Sequence, residues 1–332
     1  MKNLLRYLLS IALAFAFLSW AFRGTETAAL LSAVTAVPLH WVMVLVPLIL
    51  VSLMIRSWRW IVLMRPFANH VTIWQALKAV LICYAANVVV PRSGEALRAL
   101  SIRWASGASV TSVLATVVVE RIVDIVWLLL LVGASLAFIP AAIATSYSWF
   151  ESIFVGAIVG CAVMLMGLTW LAMRRDTAPA IAHRILSGIS TRLADTVVNL
   201  LAKFAVGLES LKTPSAYFQL TISSALINIS YVLIVYLSFL AFGFDASPHN
   251  LGITAALVVM TMSSIGMVVP TPGGIGSYHL LFAQTLHIVY GIPQVEALAC
   301  ATFVHSIATA TYLALGVPAL ASQHFRRKSI QE

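Results

Sequence analysis

Apolar residues in this chain come in long runs, with the polar residues gathered into short interruptions. About 20 apolar residues are needed to cross a bilayer as a helix. Six runs meet that need: Leu4–Phe22, Leu39–Arg56, Ser109–Phe138, Phe150–Met173, Ser215–Phe242 and Gln294–Leu320. Two further segments are apolar but broken. One runs from Ile73, breaks at "PRSGE" after Val90, and resumes to Trp104. The other runs from Leu251, breaks at "PTPGGIG" after Val269, and resumes to Tyr290. Both read as re-entrant helical hairpins. The predicted fold is an all-α polytopic membrane protein with six full spans and two hairpins, 73–104 and 251–290, in a single transmembrane domain over residues 1–332.

The stretch 180–211 has a different period. Ile181, Ile185, Ile189, Leu193, Val197, Leu201, Phe204, Leu208 and Leu211 recur every three or four residues, with Arg184, Arg192, Asp195, Asn199 and Lys203 on the other face. That is the pattern of an amphipathic helix lying on a membrane surface, interrupted at Gly188 and Gly207. It links a first half, 39–138, to a second, 215–320.

Composition agrees with a membrane protein. Hydrophobic residues make up 61% and charged ones 9%, against about 25% charged in soluble domains. The N-terminal apolar run is too long for a signal peptide and no small-residue cleavage site follows it, so it is expected to remain as the first span. Cys83, Cys161 and Cys300 lie far apart in apolar surroundings and suggest small core residues, without metal or redox spacing. Neither a cofactor nor a metal site is expected.

The net charge of +9 follows topology. Lys and Arg in short loops mark the cytoplasmic side. Lys2 and Arg6 put the N-terminus there, and Arg56, Arg59 and Arg65 are read as following the second span back inside. If the first hairpin enters and returns, nearly all remaining basic residues are also inside, including those at the C-terminus. Arg23 is then outside, and Arg121 alone sits within a span. The charge marks an inner membrane surface, and no nucleic acid partner is expected.

The two broken segments align: "NVVVPRSGEALR" with "GMVVPTPGGIGS". The same offset pairs Gly107 with Gly291, Leu114-Ala115 with Leu298-Ala299, and Arg121 with His305. The charge rule makes the first hairpin open inward and the second outward, which is an inverted-topology repeat, an architecture common in transporters.

Candidate chemistry collects at the breaks. Pro91 ends a helix and Gly94 permits close approach. A half-helix starting near Arg92 points its positive dipole end toward the midplane, where it favours an anion. Glu95 lies three residues from both Arg92 and Arg98, so all three can share a face; Asn87 sits just before the break. The second break, with Pro270, Pro272, Gly273, Gly274 and Gly276, is uncharged and followed by Tyr278 and His279. Glu120, Arg121 and Asp124 occupy one arc of a span, and His305 is the ionisable group deep in the last one. Burying a charge in a bilayer costs at least about 2.5–3.5 kcal/mol, so these groups face one another or a pocket. A structural ion-pair network and a substrate site both satisfy that requirement. His279 or His305 could couple movement to protons.

The segments "NVVVPRSGEALRA", "VVVERIVDIVWLLLL" and "VVPTPGGIGSYHLLF" resemble, in matching order, the lysylphosphatidylglycerol synthase transmembrane-region family of flippase-like membrane proteins. The resemblance implies a lipid-translocating domain, with Arg92, Glu95, Arg98, Glu120, Arg121 and Asp124 lining a cavity for a lipid headgroup. Bifunctional members carry a soluble aminoacyl-transferase domain that is not expected here, so synthesis of lysyl-lipid is not expected either. Several members also have Glu where this chain has Tyr278-His279. The expected function is a flippase for an anionic or headgroup-modified lipid (phospholipid, glycolipid or isoprenoid lipid) in the inner membrane, with both termini cytoplasmic. The alternatives are a membrane-embedded transferase acting on a lipid headgroup, with Glu95 as its acid/base candidate, and a structural partner of a lipid-synthesis complex. The expected partners are the bilayer, the membrane lipid substrate, and a homo-oligomer or a lipid-biosynthesis enzyme.

Overall fold

The computed structural model describes residues 2–138, 178–188 and 213–331, with scattered positions between 156 and 199. The described residues are helical, without strands. In order these are α1 (Lys2–Ala21), α2 (Thr27–Thr35), α3 (Leu39–Met64), α4 (Ile73–Val89), α5 (Ser93–Ser106), α6 (Val110–Leu136), α7 (Ala178–Leu186), α8 (Pro214–Phe242), α9 (Ile253–Val268), α10 (Ser277–Gln284) and α11 (Gln294–Gln331). A short 3₁₀ turn, Pro272–Gly274, precedes α10, and a π-turn, Thr285–Val289, follows it.

Helices α3, α8 and the Gln294–Gln323 part of α11 are each long and apolar enough to span a membrane. Leu8–Ala21, α4 and α9 are apolar but shorter. Helix α6 has the length of a span at 27 residues but carries Glu120, Arg121 and Asp124. Large apolar side chains such as Phe15, Leu39, Met43, Trp74, Phe218 and Ile229 are exposed along these helices. Apolar surface of that extent suits lipid as the solvent. The chain is a multi-pass membrane protein.

Local sequence features set the helix ends. Thr72 and Gln75 form a capping box on α4. Thr213 caps α8, Pro214 opens it, and Gly243 ends it in the left-handed conformation. Helix α4 stops at Val89 because Pro91 cannot continue it; Val90 is extended and Arg92 takes φ 62° before α5 begins. Both broken segments therefore are helix–break–helix units, with α5 and α10 as the returning arms.

Three expectations change. The second span does not end at Arg56: α3 continues to Met64. Because of that extension, Arg56 and Arg59 lie inside a helix and are buried, so Arg121 is not alone among charges within spans. Helix α2 was not expected at all. The expected span Phe150–Met173 lies outside the described residues apart from scattered positions, as does the 200–211 part of the expected linker; the described start of that linker belongs to α7.

Packing is close where glycine permits it. A Cβ on Gly94 would collide with the Cys83 carbonyl, so α5 folds directly onto α4. Gly316 of α11 meets the Leu81 carbonyl of α4 in the same way. One apolar cluster centres on Leu53, Trp60, Ala76, Ala99, Ile102 and Val113, around α3 to α6. Another centres on Phe239, Val259, Phe282, Leu286 and Leu298, around α8 to α11.

The contacts come in corresponding pairs. Helix α3 packs on α4 as α8 packs on α9, and α4 on α5 as α9 on α10. Helix α5 meets α6 as α10 meets α11, and α4 meets α11 as α9 meets α6. Helices α3 and α8 pack on each other. The two breaks also meet: Gly273, at the tip of the second unit, sits against Val88 at the end of α4.

Candidate functional site

The spacing of charges on two helices builds the site. Glu120 and Asp124 are one turn apart on α6 and face the same way. Arg56 and Arg59, three apart on α3, face them. Arg98 arrives from α5. All of these meet around one carboxylate, Glu120, which is fully buried.

Glu120 Oε1 accepts from Arg56 Nη1 at 2.8 Å and from Arg59 Nη2 at 3.1 Å, and Oε2 accepts from Arg98 Nη2 at 2.7 Å. Asp124 accepts from Arg59 Nη2 at 2.6 Å and more loosely from Arg56 Nη1 at 3.4 Å. Neutral groups add to the shell, while the Nε atoms of Arg56, Arg59 and Arg98 find no hydrogen-bond partner among the described residues. Arg56 donates to the Tyr231 hydroxyl at 3.1 Å and Arg59 to Ser224 at 3.1 Å, both on α8. The Arg98 guanidinium lies 4.6 Å above the Trp60 ring, a cation–π contact. Trp60 itself donates to Thr116 at 3.0 Å, fixing α3 to α6.

Arg121 is held differently. Its side chain is 46% exposed, and its contacts to Glu95, Glu120 and Asp124 run from 3.5 to 3.6 Å. It is the loose member of the cluster, with part of its side chain exposed. Glu95, half-buried, stands beside it. Four guanidiniums (Arg56, Arg59, Arg98, Arg121) thus meet three carboxylates (Glu95, Glu120, Asp124), leaving one positive charge in excess.

The expected Arg92–Glu95–Arg98 face separates into three roles. Arg98 turns inward to Glu120, Glu95 pairs with Arg121, and Arg92 is exposed, without an ion-pair partner among the described residues. Asn87 serves the break: its Oδ1 accepts from the Gly94 N–H at 2.9 Å and so caps α5. Ser93 adds bonds to the Val90 and Ala86 carbonyls.

The second break holds Tyr278, His279 and His305 together. The rings of Tyr278 and His305 are 4.9 Å apart and those of His279 and His305 4.8 Å apart. Arg121 and His305, paired by the sequence alignment, therefore belong to different clusters. Pro270 and Pro272 flank Thr271, which bonds Ser277, and Ser277 Oγ donates to the Gly266 carbonyl at 2.7 Å. Gly273, Gly274 and Gly276 all have positive φ, where a side chain would be strained.

With this geometry in view, the comparison with known families is decisive. Residues 7–316 match the lysylphosphatidylglycerol synthase transmembrane region. The chain belongs to that family. It is also similar to glycosyltransferase AglD of Haloferax volcanii, 23% identical over 267 residues, covering 74% of this chain and 42% of that protein. The chain thus spans less than half the length of this curated relative. No solved structure matches it. As a member of the lysylphosphatidylglycerol synthase transmembrane-region family, the chain is a lipid-related membrane protein.

Sequence reasoning missed Arg56, Arg59 and Tyr231. A basic residue after an apolar run reads as a loop marker under the positive-inside rule. The signal that would have found them is the apolar run resuming after Arg59, in "SLMIRSWRWIVLM".

Proposed function

We propose that the protein is an inner-membrane flippase that binds a lipid with an anionic headgroup between its two broken hairpins and carries it across the bilayer. The observation behind this reading is the excess positive charge of a cluster whose loose member, Arg121, is 46% exposed. An anion supplies the missing negative charge, and the exposed Arg92 at the start of α5 adds a second cation and a helix N-terminus. All three carboxylates have guanidinium partners, so their role is to balance charge, and a cationic headgroup would meet net repulsion.

The architecture supports movement. Irregular backbone at membrane depth is tolerated where protein or a water-filled cavity covers it, and here two breaks meet, Gly273 against Val88. The paired contacts between halves 39–138 and 215–320 support an inverted repeat, in which substrate sites lie at the junction of the halves. By the distribution of Lys and Arg, both termini face the cytoplasm.

A transferase acting on a lipid headgroup is the second reading. It draws on the likeness to a glycosyltransferase and on the half-exposed Glu95 beside the proposed anion site. One experiment separates the two. The purified protein is reconstituted in vesicles with headgroup-labelled anionic or zwitterionic lipid, and label reaching the opposite leaflet is followed. The flippase reading expects selective movement of anionic lipid, at least tenfold slower in Arg121→Gln. No movement of any lipid, with headgroup composition altered in the presence of a lipid-linked sugar donor, would sink it in favour of the transferase.

A further inference from the structure

The uncharged break holds a polar cluster that the reading above does not use. Tyr278 and His279 open α10, and His305 faces both from α11. The His305 Nε2 is buried and has no hydrogen-bond partner among the described residues. His279 Nδ1 has one contact, from the Gly276 N–H at 3.4 Å, longer than a good hydrogen bond. Neither imidazole joins an ion pair among the described residues. A buried polar atom left unpaired costs about 1–3 kcal/mol, which an incoming partner would recover. Each imidazole offers a donor at one nitrogen and an acceptor at the other, and a phenol offers both. Such a group, with no carboxylate or guanidinium beside it, recognises hydroxyls and not ions.

Aromatic side chains on α4 and α11 extend from the arginine site. Tyr312 lies seven residues from His305, two turns along the same face of α11, a separation of about 10 Å. Its ring stacks on Tyr84 at 4.6 Å, and the Tyr84 ring lies 6.0 Å from the Arg56 guanidinium. Tyr84, Tyr231 and Tyr312 are partly buried. Tyr84 and Tyr312 thus extend uncharged polar groups from the charged cluster along the helix that carries His305.

We infer that Tyr278, His279 and His305 form a second headgroup subsite, which takes the neutral hydroxylated ring of a lipid whose phosphate lies at Arg121. The substrate class is a sugar-phosphate lipid. This rests on the anionic-lipid reading above and adds its second half. The chemistry decides the class: neutral donors and acceptors suit the hydroxyls of a ring, while a guanidinium suits a phosphate.

The test is native mass spectrometry of the full chain in mild detergent, offered three lipids with matched acyl chains. Phosphatidic acid carries phosphate alone, phosphatidylglycerol adds a short polyol, and phosphatidylinositol adds a cyclic one. The wild type should retain phosphatidylinositol over phosphatidic acid by about five- to tenfold, the worth of one or two hydrogen bonds. His305→Ala and Tyr278→Phe should each bring that ratio near one while leaving phosphatidic acid retention unchanged. His305→Gln, which keeps a donor and an acceptor, should preserve most of the preference. Arg121→Gln should lower all three lipids together. If His305→Ala is not monodisperse, the milder Tyr278→Phe carries the test. Equal retention of phosphatidylinositol and phosphatidic acid by the wild type overturns the second subsite and leaves the anionic-lipid reading standing. A ratio unchanged in both variants does the same, and a preference for phosphatidylglycerol alone overturns the sugar assignment. Retention of no anionic lipid overturns this inference and the proposed function together.

Discussion

The two broken hairpins have similar backbone roles and opposite chemistry. In the first, α4 and α5 carry Arg92, Glu95 and Arg98 around the break, and α6 supplies Glu120, Arg121 and Asp124. In the second, Tyr278, His279 and His305 occupy the comparable places without a charge pair. Each break is made by proline and glycine, and each returning arm lies close against its partner, at Gly94 on Cys83 and at Gly266 on Ser277. What differs is how each is held. The charged break is locked by ion pairs converging on Glu120. The neutral break relies on side chain to backbone bonds, such as Ser277 to Gly266, and on glycines with positive φ. Break geometry therefore belongs to the architecture, while charge is confined to one side of it.

The largest effect should come from Glu120→Gln. It removes the carboxylate shared by Arg56, Arg59 and Arg98, and breaking a buried charge cluster costs about 3–5 kcal/mol. Thermal unfolding in detergent should show a large fall in Tm or failure to accumulate; a near-normal Tm would mean that the ion pairs do not lock the first break.

Gly94→Ala and Gly107→Ala sharpen the same point. The Gly94 variant drives a methyl into the Cys83 carbonyl and should cost about 1–3 kcal/mol by overpacking. Gly107 has open space around its Cβ position and is strained only through its φ of 71°, so its cost should be about 1 kcal/mol. Equal losses in the two would contradict direct α4–α5 contact as the determinant.

Asn87→Ala removes the cap on the Gly94 N–H and should cost about 1 kcal/mol, read as a modest drop in Tm. Asn87→Asp should recover most of it, since the acceptor oxygen remains.

Arg121→Gln should be the mildest in stability and the most telling in function. Its side chain is half exposed and its contacts are long, and exposed pairs contribute about 0–1 kcal/mol. Tm should barely move while anionic-lipid retention falls at least tenfold. A large Tm loss without a binding change would place Arg121 in the lock with Arg56 and Arg59.

Most of the described helices and both breaks were legible in the sequence because they depend on local features. Apolar runs fill the helices, and Pro91, Pro270 and Pro272 stop them. Glu120, Arg121 and Asp124 were legible as one group, and Arg92, Glu95 and Arg98 as another, because charge in an apolar run has few tolerable explanations. Arg56 and Arg59 were not, since their partners lie more than sixty residues away and a terminal basic pair looks like a topology marker. The loose hold on Arg121, the capping role of Asn87 and the meeting of His305 with Tyr278 were equally hidden. By itself the sequence determined that this chain lives in a membrane, where it is helical and where its helices must break, because hydrophobicity and backbone stereochemistry act over a few neighbouring residues. Only the tertiary structure decided which charges neutralise one another and which remains free, because a carboxylate's partner is whatever packing brings within reach of it.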